Sequence, residues 1–285
     1  MADNLLTYFR WVESKNNDLV KQLMAHQVGG RSAAKLRKEQ NLTLLEGTHL
    51  LDSWYRAGHS TSLKTIITNP VSLEIPEVKE LITGLVNDSI SNSVLSYDFV
   101  LLKESLVKAV SAFHTGPFLL ALVEVKNSNQ IELNQDLVIL DGIQDAGNVG
   151  NILRTSAAAG FRQIICLPGT ACPWSNKVLR AGMGAQAVLE ISEDFYTVED
   201  ISHLPIPLLS TQLQGKLSLF EMHNLLSSPV AWVFGNEGFG VSKLIQEISQ
   251  GVRIPQESRV ESLNVASAAA ICLFETMRVR LHRKA

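Results

Sequence analysis

Short blocks of consecutive apolar residues recur along the second half of the chain, separated by stretches with helical spacing. These blocks predict strands at 137–140, 163–167, 187–189, 207–209 and 230–234. Fully apolar strands that alternate with helices are typical of a parallel sheet covered on both faces. We therefore expect an α/β domain over residues 131–285, with ligands bound beyond the carboxyl ends of its strands.

The first hundred residues have the pattern of a smaller α/β unit. A helix carries Leu19, Val20, Leu23 and Met24 at helical spacing and is expected to end near Gly29-Gly30. A second helix is predicted to start close to Ser32, with strands at 42–47 and 64–68. The prediction is an N-terminal domain over 1–110, a linker over 111–130 and a second domain over 131–285.

Composition narrows the class of protein. The chain has 285 residues, 46% of them hydrophobic and 19% charged, with a formal net charge of −3, which is typical of a soluble protein without a general polyanion-binding surface. The three cysteines form no CxxC pair, so we expect no zinc site and a reducing cytoplasmic location. The start of the chain lacks the pattern of a signal peptide, and apolar runs such as Phe118–Val123 are too short to cross a membrane.

Several common catalytic motifs are missing. Gly235–Gly240 reads GxxGxG, the reverse of the dinucleotide-binding order, and Gly147–Gly150 lacks the Lys-Ser/Thr of a phosphate-binding loop. No GxSxG motif is present, and the seven histidines show no metal-ligand spacing. The common nucleotide-binding and hydrolase folds are therefore disfavoured.

Three polar junctions remain as candidate sites. At the first, Asn148 is predicted to cap a helix that carries Arg154 roughly two turns later, where a guanidinium can clamp a phosphate. At the second, Glu237 follows an apolar strand between glycines, and at the third Ser262 and Asn264 precede a helix. Each has a simpler interpretation: a solvated surface arginine, an exposed turn acid and ordinary helix caps.

Together these junctions resemble the motifs of the SpoU/TrmH family of RNA ribose 2′-O-methyltransferases in the SPOUT superfamily. The matching segments are Asn148-x-Gly150-x-x-x-Arg154, Arg180–Ala185, Phe234–Gly240 and Ile254-Pro255 through Ser262–Val265 to Glu275. Their order and spacing agree over residues 131–285. One departure is Ala146, where the family usually has a proline, so the loop lacks a rigid turn.

The resemblance implies a parallel-sheet domain with a trefoil knot, a homodimer formed through this domain, and S-adenosyl-L-methionine bound in the knot without any metal. The residues it assigns to the cofactor are Ser210, Thr211, Gln212, Gly235, Asn236, Gly238, Gly240, Ile254, Leu263 and Asn264. It assigns the reaction to Arg154, Asn148, Glu237, Ser262 and Asn264. Arg154 either takes part in a proton relay with an RNA phosphate or only positions the phosphate; the second is favoured because arginine holds its proton tightly.

The N-terminal region is similar to the family's substrate-binding extension, whose small α/β fold resembles RNA-binding ribosomal proteins. Candidate RNA contacts are Arg31, Lys35, Arg37, Lys38, Lys177 and Arg180. The implied activity is methylation of a ribose 2′-hydroxyl in RNA, first of all large-subunit (23S-type) rRNA. The alternatives are a tRNA 2′-O-methyltransferase and a non-catalytic RNA-binding or ribosome-assembly protein that keeps the fold.

Overall fold

The computed structural model describes residues 5–27, 31–92, 97–111, 116–125, 127–128, 131–257, 259 and 261–283, without the side chains of residues 31–33 and 283. The chain divides into two compact units. The first comprises residues 1–126 with 174–176, and the second comprises 127–173 with 177–285. The predicted end of the first helix at Gly29-Gly30 lies outside the described residues.

The first unit contains a mixed sheet, which has five strands in the described residues, in the order β1–β4–β3–β5–β2. The strands are β1 (Phe9–Val12), β2 (Leu42–Glu46), β3 (Leu63–Thr68), β4 (Asp98–Leu102) and β5 (Leu119–Glu124). β1, β4 and β3 are parallel, whereas β5 runs antiparallel to β3 and β2. The helices are α1 (Asp18–Gln27), α2 (Arg31–Gln40), α3 (Thr48–Arg56), α4 (Pro70–Leu73), α5 (Pro76–Ser91) and α6 (Glu104–Val110).

One face of this sheet forms an apolar core with α1 and α6. Val20 and Leu23 of α1 and Leu106 of α6 pack in one buried cluster with Val100 and Leu120 of the sheet. The predicted helix is present; Leu19, Val20 and Leu23 form its buried stripe, whereas Met24 is exposed. The predicted helices near 19–24 and 32, and the strands at 42–47 and 64–68, correspond to α1, α2, β2 and β3.

The segment predicted as a linker contains a strand of the first sheet. Residues 119–124, within the predicted linker 111–130, form β5 between β3 and β2, and Leu119–Val123 are fully buried. The linker prediction is therefore wrong for these residues. The place of β5 in the sheet depends on pairing with strands distant in sequence, which its local pattern does not reveal.

The second unit contains a sheet that is entirely parallel, with seven strands in the described residues in the order β10–β12–β9–β11–β6–β7–β8. Its strands are β6 (Leu137–Asp141), β7 (Gln163–Cys166), β8 (Glu190–Glu193), β9 (Leu208–Thr211), β10 (Leu217–Ser218), β11 (Ala231–Gly235) and β12 (Gln250–Arg253). Its helices are α7 (Ala146–Ala158), α8 (Asn176–Gly182), α9 (Val198–Ser202), α10 (His223–Leu226), α11 (Lys243–Ile248) and α12 (Val265–Arg283). Residue 176, where α8 begins, belongs to the first unit.

Helices cover both faces of this sheet. Ile139 and Val233 on one face cluster with Ile201 of α9 and Ile245 of α11. On the other face, the Trp232 indole nitrogen donates a hydrogen bond of 3.1 Å to Thr276 Oγ1 of α12. Burial on both faces explains why the strands are continuous apolar runs. The predicted parallel α/β sheet is thus confirmed for this unit.

One predicted strand is wrong. Residues 187–189 do not form a strand: a 3₁₀ helix spans Ala185–Val188 after Gly184, whose φ is +84°, and β8 begins at Glu190. Gln186 is buried in this 3₁₀ turn and donates from Nε2 to the Pro173 carbonyl at 3.2 Å. A short apolar run has no periodicity of its own, so it fits either structure.

No helix in the described part of the chain combines the length and the apolar character needed to cross a membrane.

A polar brace fastens the C-terminal helix α12 to the start of the sheet. The Arg280 guanidinium forms a two-pronged ion pair with Asp136 and donates to the carbonyls of Leu226, at 3.0 Å, and Ser228, at 2.7 Å. The Asp136 carboxylate also accepts from Val230 N at 2.9 Å. Both partners of the pair are mostly buried, with side-chain exposures of 27% and 22%.

Replacement Arg280→Ala is expected to lower the free energy of unfolding by about 2–3 kcal/mol, because it removes the charged partner of Asp136 and the donor to the carbonyls of Leu226 and Ser228. The measurement is chemical denaturation followed by far-ultraviolet circular dichroism. The control is Arg259→Ala, whose exposed ion pair with Glu257 spans 3.8 Å and should contribute less than about 1 kcal/mol. Equal effects of the two variants would contradict a bracing role.

Candidate active site

The loop between β6 and α7 forms the first junction. Asp145 has an extended backbone, and its side chain accepts from Asn148 N at 2.8 Å, so Asp145 is the N-cap of α7. The prediction that Asn148 is the cap is therefore wrong. A cap must precede the first helical residue, and the helix already begins at Ala146. The Asn148 side chain is consequently free to form contacts elsewhere.

The second junction follows β11 and is organised by Asn236. Its side-chain nitrogen donates to the Gly142 carbonyl at 2.9 Å, which joins this loop to the end of β6. Its side-chain oxygen accepts from Gly238 N at 2.8 Å and from Phe239 N at 3.3 Å, and its carbonyl accepts from Gly240 N at 2.8 Å. Four hydrogen bonds therefore fix this five-residue turn.

Gly235 allows the turn to fold back on the strand that precedes it. A Cβ placed there would lie 2.2 Å from Gly240 C and 2.2 Å from Val241 N, both backbone atoms. No side chain fits at such distances. Glycine is thus required at Gly235 for close packing, whereas at Gly238 an added Cβ would meet only Asn236 Oδ1, at 3.5 Å.

The third junction leads into α12. The Asn264 side-chain oxygen accepts from Ala266 N at 2.9 Å and from Ser267 N at 3.2 Å, the pattern of an N-terminal helix cap. The simpler interpretation of Asn264 as a cap is therefore correct. It is incomplete, because the side-chain nitrogen of Asn264 has a different partner.

That partner joins the three junctions. Asn264 Nδ2 donates to Asn148 Oδ1 at 3.0 Å, and Asn148 Nδ2 donates to Glu237 Oε1 at 2.9 Å. Glu237 Oε1 also lies 3.4 Å from Asp145 N. The structure thus brings Asn148, Glu237 and Asn264 together from three separate segments, which the resemblance assigned to one reaction.

The Asn264→Asp substitution should separate the two tasks of this side chain. Aspartate caps a helix as well as asparagine, so the unfolding free energy is expected to stay within about 0.5 kcal/mol of the native value. It has no N–H to donate to Asn148, so the catalytic rate at this site is expected to fall about 10- to 100-fold. Denaturation and initial-rate assays on the same preparation test this. A large loss of stability, or an unchanged rate, would contradict the separation.

A cavity of about 660 Å³ opens beside this network. Most of the predicted cofactor residues line it: Thr211, Gln212, Gly235, Asn236, Gly238, Gly240, Ile254, Leu263 and Asn264. Glu237 and Ser262, predicted for the reaction, line it as well. Ser210 does not. Its side chain is fully buried, 2.7 Å from Ser249 Oγ, and accepts from Gln212 Nε2 at 2.9 Å.

Two glycines that the sequence analysis missed let the loop after β9 lie close to β12. A Cβ on Gly251 would meet Gln212 Oε1 at 2.7 Å, and a Cβ on Gly215 would meet Arg253 N at 2.6 Å. The sequence analysis also left out several cavity-lining residues, namely Leu213, Gln214, Phe239, Gln246, Gln256 and Glu261. A signal was available for three of them, because Phe239 lies within the motif Phe234–Gly240 and Leu213 and Gln214 follow the predicted strand 207–209 by four and five residues.

Arg154 lies on α7 but does not line the cavity. Its side chain is exposed and makes no hydrogen bond or ion pair with any residue that the structure describes. The same helix carries Asn148 at its first turn, so Arg154 and the polar network are held on one rigid element. Gly150 fixes α7 against α8, because a Cβ there would lie 2.4 Å from Ala181 Cβ.

The predicted RNA-binding residues have different surroundings. Lys35 is exposed on α2 and lies 3.6 Å from Glu39, and Lys38 is also exposed. Arg37 is only 6% exposed, so it does not belong to a basic surface; it lies near His26, whose pKa is lowered mainly by burial. Lys177 is exposed and Arg180 half-buried on α8, while the Arg31 side chain lies outside the described residues.

The fold agrees with comparisons to known proteins. The family model described as the SpoU rRNA Methylase family matches residues 136–274. An uncharacterised tRNA/rRNA methyltransferase of Synechocystis is 31% identical over 278 residues, covering 94% of this chain and 93% of the relative. This chain belongs to the SpoU family. The matched segment contains all three junctions of the network.

Further comparisons agree with this membership of the SpoU family. The 23S rRNA (guanosine-2′-O-)-methyltransferase RlmB of Vibrio parahaemolyticus is 33% identical over 190 residues, covering 62% of this chain and 75% of the relative. The crystal structure of the AdoMet-bound rRNA methyltransferase from Sinorhizobium meliloti is similar to this SpoU family protein, with a TM-score of 0.76 and 26% identity. It covers 95% of this chain and 98% of that chain.

Proposed function

We propose that this protein transfers a methyl group from S-adenosyl-L-methionine to a ribose 2′-hydroxyl in RNA, with large-subunit rRNA as its substrate. The observation that carries the proposal is the hydrogen-bonded chain of Glu237, Asn148 and Asn264 beside a cavity formed by the same loops. The names of two relatives support it, since one is a 23S rRNA 2′-O-methyltransferase and the other a tRNA/rRNA methyltransferase. The proposed substrate implies a cytoplasmic location.

The residues of the cavity fit the proposed cofactor. A volume of about 660 Å³ is within the usual range for small-molecule sites, and Gly235 and Gly240 bring bare backbone close to any ligand. Ile254, Leu263 and Val265 supply apolar surface for a flat ring system, while Glu237 supplies a carboxylate for a cationic group. The AdoMet-bound relative from Sinorhizobium meliloti, at 26% identity, supports the same assignment.

Residues of this chain would then hold the acceptor ribose. When bound, S-adenosyl-L-methionine supplies an electrophilic methyl group. Arg154, exposed and without an internal partner among the described residues, is placed to bind an RNA phosphate through its planar fork and so align the hydroxyl. We favour this role over a proton relay because a guanidinium is a very weak base.

The remaining site residues are proposed to position groups. Asn148, held at both ends by Glu237 and Asn264, would keep its amide at one place at the start of α7. Ser262 is exposed on the cavity wall and would contact the ligand or the ribose. None of these roles requires a metal.

The first unit is proposed to bind RNA. After Arg37 is found buried, the candidates that remain are the exposed Lys35, Lys38 and Lys177, the half-buried Arg180, and Arg31, whose side chain lies outside the described residues. The basic surface formed by these few cations is small, in keeping with the net charge of −3. A small basic surface is compatible with recognition of structured RNA by its shape. The first unit, including β5, replaces residues 1–110 as the proposed domain.

Two further features are proposed for the second unit. A trefoil knot is supported by the strand order, in which β11 lies between β6 and β9, and by the close packing of residues 212–215 against 251–253.

A homodimer is supported by exposed apolar side chains on α12, Phe274 at 47% and Leu281 at 56%. Light scattering of the purified protein tests the dimer directly.

Substrate class is tested by methyl transfer from radiolabelled S-adenosyl-L-methionine to total RNA of a strain that lacks this protein, with the products sized on a gel. A labelled large ribosomal RNA band is the expected result. Label in the tRNA band instead would support the tRNA alternative. Cofactor binding without label in any RNA would support a non-catalytic assembly protein.

A further inference from the structure

Phe239 has an unusual position at the rim of the cavity. Its side chain is 93% exposed, more than any other large apolar side chain in the described part of the chain. It nevertheless lines the cavity that is shared with Glu237 and Asn264. A phenylalanine ring left in water forgoes the stabilisation that burial would give it, so folding provides no reason for this residue.

The exposure of the ring does not come from a loosely held segment. Phe239 N is bonded to Asn236 Oδ1 at 3.3 Å, and Gly240 N to Asn236 O at 2.8 Å. Gly240 has φ +70°, a conformation that lets the chain turn back immediately after Phe239. The turn therefore holds the backbone of Phe239 in place, and the ring projects from it beside the proposed reaction centre.

The surroundings of the ring favour a flat aromatic partner. Within residues 236–243, Phe239 is the one exposed apolar side chain, since Val241 is buried and the others are polar or glycine. The exposed apolar side chains nearby, Leu244 next along the chain and Leu213 on the cavity wall, have no aromatic face. A protein partner needs a broad apolar centre. An RNA base needs a single aromatic face, and the exposed Lys243 close by along the chain is suited to the accompanying phosphate.

We propose that Phe239 is a stacking platform for an unpaired RNA base next to the methylated ribose. The inference rests on the proposed function and adds a selection rule to it. A base held on Phe239 must have left its helical stack, so the enzyme would choose nucleotides in loops or bulges over those in continuous duplex. Phe239 is thus a positioning residue, whose ring makes no hydrogen bonds and therefore tolerates any base.

Steady-state kinetics with in vitro transcribed large-subunit rRNA test this, using Phe239→Ala, Phe239→Leu and Phe239→Tyr. Loss of one stacked base should raise the KM for RNA about tenfold in the alanine variant, with the cofactor dissociation constant unchanged. Tyrosine should restore the native KM, whereas leucine, apolar but not aromatic, should not. The control Phe220→Ala removes a ring that is 46% exposed outside the cavity and should have no effect.

Direct binding provides a readout that does not depend on catalysis. Phe239→Ala should weaken binding of a mixed-sequence single-stranded oligoribonucleotide about tenfold, while leaving binding of the same sequence as a full duplex unchanged. If the native protein binds RNA but transfers no methyl group, the proposed function fails and this titration still tests the platform. The inference is overturned if Phe239→Ala binds the single strand with unchanged affinity or loses as much affinity for the duplex. It is also overturned if the variant loses affinity only for the cofactor, or if the substitution dissociates a dimer.

Discussion

Arg154→Ala is expected to lower the rate of methyl transfer about a hundredfold or more, the scale found when the reacting group is misplaced by about 1 Å. Its guanidinium is exposed, has no partner among the described residues and lies outside the cavity, so the cofactor dissociation constant should stay nearly unchanged. Single-turnover rates and calorimetric cofactor titration measure the two quantities separately.

Two matched variants sharpen the test of Arg154. Arg154→Lys keeps the charge but loses the two-pronged fork, so it should recover only part of the rate. Arg162→Ala removes another exposed guanidinium, one that donates to the Ala157 carbonyl at 2.8 Å, and should leave the rate unchanged. A collapse of cofactor affinity in Arg154→Ala would show that this side chain serves the cofactor rather than the RNA.

Gly235→Ala is expected to lower cofactor affinity about 10- to 100-fold and the unfolding free energy by about 1–3 kcal/mol, the cost of overpacking. The added methyl group would overlap backbone atoms of Gly240 and Val241 at 2.2 Å, so the turn that carries Asn236 and Glu237 must move. Cofactor titration and chemical denaturation measure both effects.

The control for Gly235 lies three residues away in the same turn. Gly238→Ala adds the same methyl group, whose nearest neighbour is Asn236 Oδ1 at 3.5 Å, an ordinary contact distance. It should therefore bind the cofactor with near-native affinity. If both variants lost the same cofactor affinity, the close approach at Gly235 would not be the cause of the loss.

Most strands of the parallel sheet with an apolar run were predictable, whereas a strand without such a run and a strand of the mixed sheet inside the predicted linker were not. Residues 137–140 and 230–234 have uninterrupted apolar runs because helices cover both sides of β6 and β11. β12, with the sequence QGVR and a single fully buried residue, has no such run. The central place of β5 likewise depends on partners that local pattern does not identify.

The site was predictable where chemistry and spacing coincide. Asn148, Glu237 and Asn264, which the resemblance assigned to one reaction, meet in one hydrogen-bonded network. Burial was harder to predict: Ser210 and Arg37 are polar, yet packing places both inside. Whether a polar side chain is exposed depends on neighbours brought in from distant segments, and a sequence pattern contains little of that information.

The central claim is that the methyl group reaches a ribose oxygen, and alkaline hydrolysis of the labelled RNA tests it most directly. A 2′-O-methyl group removes the hydroxyl that cleaves the neighbouring phosphodiester, so the label should appear in alkali-resistant dinucleotides. It should be missing from RNA treated with Arg154→Ala. Label in mononucleotides would indicate methylation of a base and would contradict the account.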